Sequence, residues 1–335
     1  MIHELFTSAA VTPFRSFSTA PNDSLLNNNN HLLRILSPSS RLALCSLPTI
    51  RMSPRLISCI CRAGEDLKKE SSLEWPILRR WDVPWQWQTV SLASLACGLS
   101  FILTGIIETA ALPYLGLNIQ ELSMDEKAEL LLLDQSITTA AVLGVLYGII
   151  NTFQPLPEDI LRFDLRQPFN IQKGWLLWAG LGLCGAVLTI SLIGFLSSSF
   201  GGEPPQRETD SLVRLLPLIG SSGVSTACLV GITGILAPVL EESVFRGFFM
   251  VSLTKWVPTP VSIIVSAALF AIAHLTPGEF PQLFVLGSVL GLSYAQTRNL
   301  LTPITIHAFW NSGVILILTF LQLQGFDIKE IIQAT

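Results

Sequence analysis

Residues 234–247 read Gly-Ile-Leu-Ala-Pro-Val-Leu-Glu-Glu-Ser-Val-Phe-Arg-Gly, an apolar run that ends in two carboxylates and a guanidinium. On insertion scales each such group costs roughly 2.5–3.5 kcal/mol inside a membrane, so three together need a reason. Helical geometry sorts them. At about 100° per residue, Glu242 and Arg246 are four apart, share a face and can form an ion pair. Glu241 is rotated away from that pair and is left to face a cavity.

Two further apolar runs carry polar groups. His274 follows Ala-Ala-Leu-Phe-Ala-Ile-Ala, and His307 and Asn311 sit four apart in Ile-Thr-Ile-His-Ala-Phe-Trp-Asn-Ser-Gly. The other histidines, His3 and His31, lie near the start of the chain. One carboxylate, one imidazole from a second helix and an imidazole–carboxamide pair from a third suit the activation of water. A carboxylate or neutral imidazole takes a proton from water, while amide and imidazole N–H groups stabilise a developing oxyanion. Glu241, His274 and His307 are also the donor types of one kind of catalytic zinc site. There is no HExxH, and residue types alone leave metal-assisted and metal-free hydrolysis both open. Read singly, the Glu-Glu-Arg group could only tie helices together and each histidine could be a satisfied core residue; three such motifs on three helices favour a site.

The surrounding sequence is that of a membrane protein. Of 335 residues 50% are hydrophobic and 13% charged, against about 25% charge in a soluble domain. No basic stripe suggests nucleic acid as a partner. Spans of about 20 apolar residues predict an all-α, polytopic bundle of about eight helices: 89–111, 130–150, 174–196, 215–240, a short 244–256, 261–275, 281–295 and 302–323. Trp75, Trp81, Trp85 and Trp87 beside Arg79 and Arg80 read as an interfacial belt on a positive side, and Glu121, Asp125 and Glu126 mark the opposite side. Glu108 and Asp134 are further carboxyls in or near the first two spans, either structural or lining a cavity. Pro277-Gly-Glu-Phe-Pro281 reads as an interhelical turn, with an entrance loop as the alternative. The cysteines, with no CxxC pair, read as small packing residues.

Residues 1–62 differ in composition. They are rich in Ser and Arg, and Glu4 and Asp23 are their acids. This predicts an organelle transit peptide, chloroplast in preference to mitochondrial, with Cys59-Ile-Cys-Arg-Ala63 as the cleavage zone. The chain then divides into a basic, Trp-rich interfacial segment (63–88), N-terminal membrane helices (89–212), a catalytic membrane domain (213–325) and a short tail (326–335).

The three motifs together resemble a family. Glu241-Glu-Ser-Val-Phe-Arg246 fits EExxxR, Phe270-Ala-Ile-Ala-His274 fits FxxxH and His307-Ala-Phe-Trp-Asn311 fits HxxxN. In this order they resemble the CPBP family of CAAX proteases and bacteriocin-processing enzymes, the type II CAAX prenyl endopeptidases, over residues 220–320. The resemblance implies a membrane helix bundle in which Glu241 and His274 activate water and His307 and Asn311 stabilise the oxyanion. Members are described both as metalloproteases and as glutamate-dependent enzymes, so the implied cofactor is a divalent metal such as zinc, or none. The implied partner is a membrane protein or peptide, prenylated or not, cut within the bilayer. A non-proteolytic scaffold or stabiliser of other membrane proteins is the alternative on the same fold. A transporter would spread polar residues over many spans or show two matching halves, and the sequence does neither.

Overall fold

The computed structural model describes residues 76–199, 215 and 217–326. The expected transit peptide, the first part of the interfacial segment with Trp75, and the tail beyond 326 lie outside the described residues. Those residues contain seven long helices and no strand: α1 (Trp87–Ala111), α2 (Met124–Ile150), α3 (Trp175–Ser199), α4 (Gly223–Leu253), α5 (Thr259–Ala273), α6 (Phe280–Thr297) and α7 (Leu301–Leu323). Among them α1, α2, α3, α4 and α7 are long and apolar enough to cross a membrane. Helices are the form apolar runs must take there, because lipid offers no partner for a free backbone N–H or C=O.

The runs expected at 215–240 and 244–256 are one continuous helix, α4. The polar group at Glu241–Arg246 and the proline at 238 look like an interruption in sequence, but the backbone absorbs both by widening. Two π-helical stretches, Ile232–Leu236 and Ser243–Met250, flank a short α turn, Ala237–Glu242. A proline normally removes a hydrogen bond from a helix and clashes with the preceding turn; the wide turn before it makes room. The remaining helices start and stop within a few residues of the expected runs. At 15 residues, α5 is about 22 Å long, short of the roughly 30 Å hydrocarbon core.

Both ends of the bundle are fastened. At one end Ser123 caps α2 in a reciprocal capping box with Glu126, and Asp125 accepts hydrogen bonds from the Ser222 and Ser225 hydroxyls beside the start of α4. At the other end residues 76–86 form a strap across the ends of α4, α5 and α6. The Trp81 indole N–H donates to Asp159 O at 3.1 Å, and the ring stacks on Tyr294 at 5.5 Å. Arg298 lies 3.6 Å above that ring, pairs with Asp159 at 2.8 Å and donates to Arg79 O. The Trp85 indole donates to Ser252 Oγ at 2.8 Å, and Lys255 donates to the Val83 and Trp85 carbonyls.

This corrects the reading of the tryptophans as a belt facing the interface. Trp81 and Trp85 are buried, while Trp87 is exposed. Each buried ring finds both an apolar stack and an acceptor for its N–H within the protein, the combination that lets an indole leave the interface. Of the membrane cysteines, Cys97 and Cys228 are buried as expected, and Cys184 is exposed on α3.

Candidate active site

Three helices bring the polar groups together. Glu241 comes from the α turn of α4, His274 caps the C-terminal end of α5, and His307 and Asn311 lie on α7. With Gln282, Leu283 and Leu286 of α6 and Trp310 they line a cavity of about 390 Å³. Aliphatic side chains and Trp310 make up about half of the lining, and Thr233, Glu279 and Gln282 add polar groups to those of Glu241, His274, His307 and Asn311.

Glu242 is fully buried, and its Oε1 takes two donors. Arg246 Nη1 lies 2.8 Å away and His307 Nδ1 2.9 Å away. A carboxylate oxygen only accepts, so His307 holds its proton on Nδ1 and turns Nε2 towards the cavity. His274 is set in the same way, with Nδ1 2.8 Å from the Phe270 carbonyl of the preceding turn. A carbonyl also only accepts, so Nε2 of His274 is again the open nitrogen. Both open nitrogens face one atom. Glu241 Oε2 lies 3.8 Å from His307 Nε2 and 4.0 Å from His274 Nε2, and it has no hydrogen-bond partner among the described residues.

Asn311 is fixed by a consequence of Pro238. In the π turn the Ala237 N–H bonds to Ile232 O, five residues back. The next donor in that ladder would serve Thr233 O, but residue 238 is proline and has no N–H. The Asn311 side-chain amide fills the gap, donating to Thr233 O at 3.0 Å. A second amide N–H remains on Asn311. The approach of α4 to α7 depends on Gly234, where a Cβ would lie 2.1 Å from Ser312 Oγ.

Arg246 anchors the floor. Its Nη2 donates to Gly287 O of α6 at 3.1 Å, and its guanidinium lies 4.3 Å over the Phe270 ring. Phe270 also makes edge contacts with His274 at 4.6 Å and His307 at 5.8 Å. One aromatic ring thus touches the buried cation and both imidazoles. A Cβ on Gly287 would sit 3.1 Å from the Ala267 backbone and 3.2 Å from Arg246 Nη2, so glycine lets α6 reach α5 and present its carbonyl.

The donor types of Glu241, His274 and His307 suit zinc, but their spacing does not. Ligands at 2.0–2.1 Å around a tetrahedral ion stand about 3.3 Å apart, and here they stand 3.8 and 4.0 Å apart. Among the described residues no group of three or more His, Cys, Asp or Glu side chains is spaced to hold a metal ion. Glu108 and Asp134 do not line the cavity; their carboxyls meet each other between α1 and α2. Pro277–Glu279 form a single 3₁₀ turn, α6 follows directly from Phe280, and Glu279 of that turn lies on the cavity wall. The residues that sequence reasoning missed are Thr233, Gly287 and Trp310. Thr233 and Gly287 act through backbone carbonyls, for which only the proline at 238 and the isolated glycine at 287 give a signal.

Residues 223–313 match the family described as type II CAAX prenyl endopeptidase Rce1-like. Over 166 residues the chain is 26% identical to the "Membrane-embedded CAAX protease MroQ" of Staphylococcus aureus (strain USA300), covering 47% of this chain and 62% of that protein. Over 180 residues it is 23% identical to the "Putative membrane peptidase YdiL" of Bacillus subtilis (strain 168), covering 54% of this chain and 69% of that protein. No solved structure matches the chain. The matched segment runs from the start of α4 to the middle of α7 and contains Glu241, His274, His307 and Asn311. The chain is thus a multi-pass membrane protein whose residues 223–313 are similar to the Rce1-like type II CAAX prenyl endopeptidases.

Proposed function

We propose that the chain is an intramembrane endopeptidase that hydrolyses its substrate with a water activated by Glu241 and His274. The observation that carries this reading is the convergence of two histidine Nε2 atoms on the unpartnered Glu241 Oε2. Gaps of 3.8 and 4.0 Å are too long for direct hydrogen bonds. A water between these groups gives one proton to the carboxylate or to His274, and its oxygen attacks the scissile carbonyl carbon. The carbonyl π electrons move to oxygen, and the spare N–H of Asn311 donates to that oxyanion. His307 donates from Nε2 when it carries protons on both nitrogens, with its Nδ1–H held by Glu242 Oε1. The proton taken from water then passes to the leaving nitrogen as the C–N bond breaks. No acyl-enzyme forms, and no step is routed through a metal.

The apolar cavity wall and its depth among membrane helices favour a peptide held in, or tethered to, the bilayer. A prenylated substrate fits this chemistry. The Arg- and Ser-rich residues 1–62 support import into a plastid, which a fluorescent fusion to those residues tests directly.

The deciding experiment maps protein termini in membranes that carry either the wild type or Glu241→Gln at equal abundance. New C-termini present with the wild type and missing with the variant support the peptidase and identify its substrate. Identical termini, with Glu241→Gln replacing the wild type in full, overturn it in favour of a scaffold.

A further inference from the structure

A second pocket lies at the end of the bundle held by the strap. It is about 280 Å³ and is lined by Arg162, Arg166, Lys173, Asn170, Thr297 and Asn299, with Asp164 and Gln167 completing it. Its charge is unbalanced. Arg162 pairs with Asp164, which also accepts from the Arg166 backbone N–H. The Arg166 guanidinium and the Lys173 ammonium make no hydrogen bond or ion pair among the described residues.

The loop that carries these cations is built rather than slack. Asn170 Oδ1 accepts from the backbone N–H groups of Gln172 and Lys173. Gly174 donates to Asn170 O at 2.7 Å, and a Cβ there would meet Asn170 N at 2.4 Å, so only glycine closes the turn. Pro168 O accepts the N–H groups of Leu176 and Leu177 at the start of α3, and Gln296 donates to Gln172 O. Asn299 ties the loop to the α6–α7 turn by donating to Asp164 O and accepting from Asp164 N.

The rim of the same loop is apolar and outward-facing. Leu165 is 71% exposed, Phe169 69% and Ile171 82%. Trp175 and Trp178 donate their indole N–H groups to Leu165 O and Ile171 O, which leaves ring faces at the head of α3. Apolar tips beside unpaired cations, at the level where membrane helices end, are the composition of an interfacial anchor. The tips immerse in acyl chains, and the cations meet whatever anion lies just above them.

We propose that the pocket of Arg162, Arg166 and Lys173 binds the phosphate headgroup of an anionic phospholipid. A phosphodiester supplies the negative charge and the acceptor oxygens that a guanidinium and an ammonium lack here. The apolar rim commits the site to a lipid rather than to soluble phosphate, since it continues the pocket into the bilayer. The pocket stands apart from Glu241, so the proposal holds whatever that site does.

The test uses the full chain in nanodiscs of phosphatidylcholine with increasing phosphatidylglycerol. Retained lipid is counted by native mass spectrometry, and melting is followed in parallel. Wild-type protein retains phosphatidylglycerol and melts higher as its fraction rises. Arg166→Gln and Lys173→Gln each weaken retention by about fivefold, while their melting in pure phosphatidylcholine matches the wild type. Lys127→Gln, at the opposite end, changes nothing. Equal retention by wild type and both variants overturns the proposal. So does full protection of the wild type by inorganic phosphate in pure phosphatidylcholine, which would make the ligand a soluble anion.

Discussion

Glu242 and His307, 65 positions apart, meet at 2.9 Å on the carboxylate oxygen that also receives Arg246. The ion pair expected from spacing is therefore also what orients an imidazole. Glu242→Gln leaves Arg246 without its counter-charge in apolar surroundings, and breaking a buried pair in this way costs about 3 kcal/mol or more. Glu241→Gln removes a carboxylate whose Oε2 has no partner, and it should leave melting in detergent close to wild type while abolishing turnover. Equal loss of melting temperature in the two variants would refute this division of labour.

Pro238 acts on Asn311 through a missing N–H. Pro238→Ala supplies a main-chain donor that competes for Thr233 O and releases the Asn311 amide. Turnover should fall by about tenfold, less than the 10²–10³ lost with Asn311→Ala when an oxyanion donor is removed. Stability should hold or rise, since alanine is the better helix residue. A Pro238→Ala enzyme with unchanged kcat would show that Asn311 needs no such restraint.

Two glycines should respond differently to a methyl group. At Gly287 the Cβ meets the Ala267 backbone and the Arg246 guanidinium, neither of which can move freely. Gly287→Ala should cost about 1–3 kcal/mol, as overpacking does. At Gly234 the obstacle is the Ser312 hydroxyl, which a rotamer change removes, so Gly234→Ala should cost less and Ser312→Ala should restore it. Thermal melts of the three variants check the order.

Arg298 holds its place with a left-handed backbone (φ 53°), an ion pair, a ring face and a carbonyl. Arg298→Lys keeps the charge but loses the planar fork that serves these partners together. It should lower melting by an amount equivalent to about 2 kcal/mol. Arg298→Lys with wild-type melting would mean that the strap is held by its other contacts, those of Trp81, Trp85 and Lys255.

Asp164 gives a sign for acid. The hydrogen bond from Arg162, with that from the Arg166 N–H, holds its carboxyl below the usual range. A depressed folded value means that the unfolded chain binds the proton more readily. The stabilisation is present above about pH 4 and is lost as the pH falls through the folded value. The protection of residues 161–174 against hydrogen exchange should decline on the acid side, and Asp164→Asn should remove that pH dependence.

Much of this was legible in sequence because lipid simplifies the code. Apolar runs near 20 residues become helices, and polar exceptions such as Glu241, His274, His307 and Asn311 stand out against them. The wheel puts Glu241 and Glu242 on different faces; in the structure Glu242 is buried and Glu241 lines the cavity. Continuity through Glu241–Arg246 was not legible, because a π turn depends on local backbone accommodation that residue types do not declare. Burial of Trp81 and Trp85 was hidden for another reason: their acceptors, Asp159 O and Ser252 Oγ, come from distant segments.

The strap also sets an order of events. Trp81 bonds to Thr254, 173 positions later, and Arg79 receives Arg298, 219 positions later. At about 5–20 residues per second, the latch for Arg79 leaves the ribosome roughly ten to forty seconds after its socket. Early in that interval α1 and α2 are already made, while Trp81 still lacks Tyr294 and Arg298 and Trp85 still lacks Phe248 and Ser252. The stretch from Phe248 to Arg298 is therefore what closes the strap, so a nascent chain that stalls before residue 248 offers quality control two indoles that still lack their later partners as its mark of incompleteness.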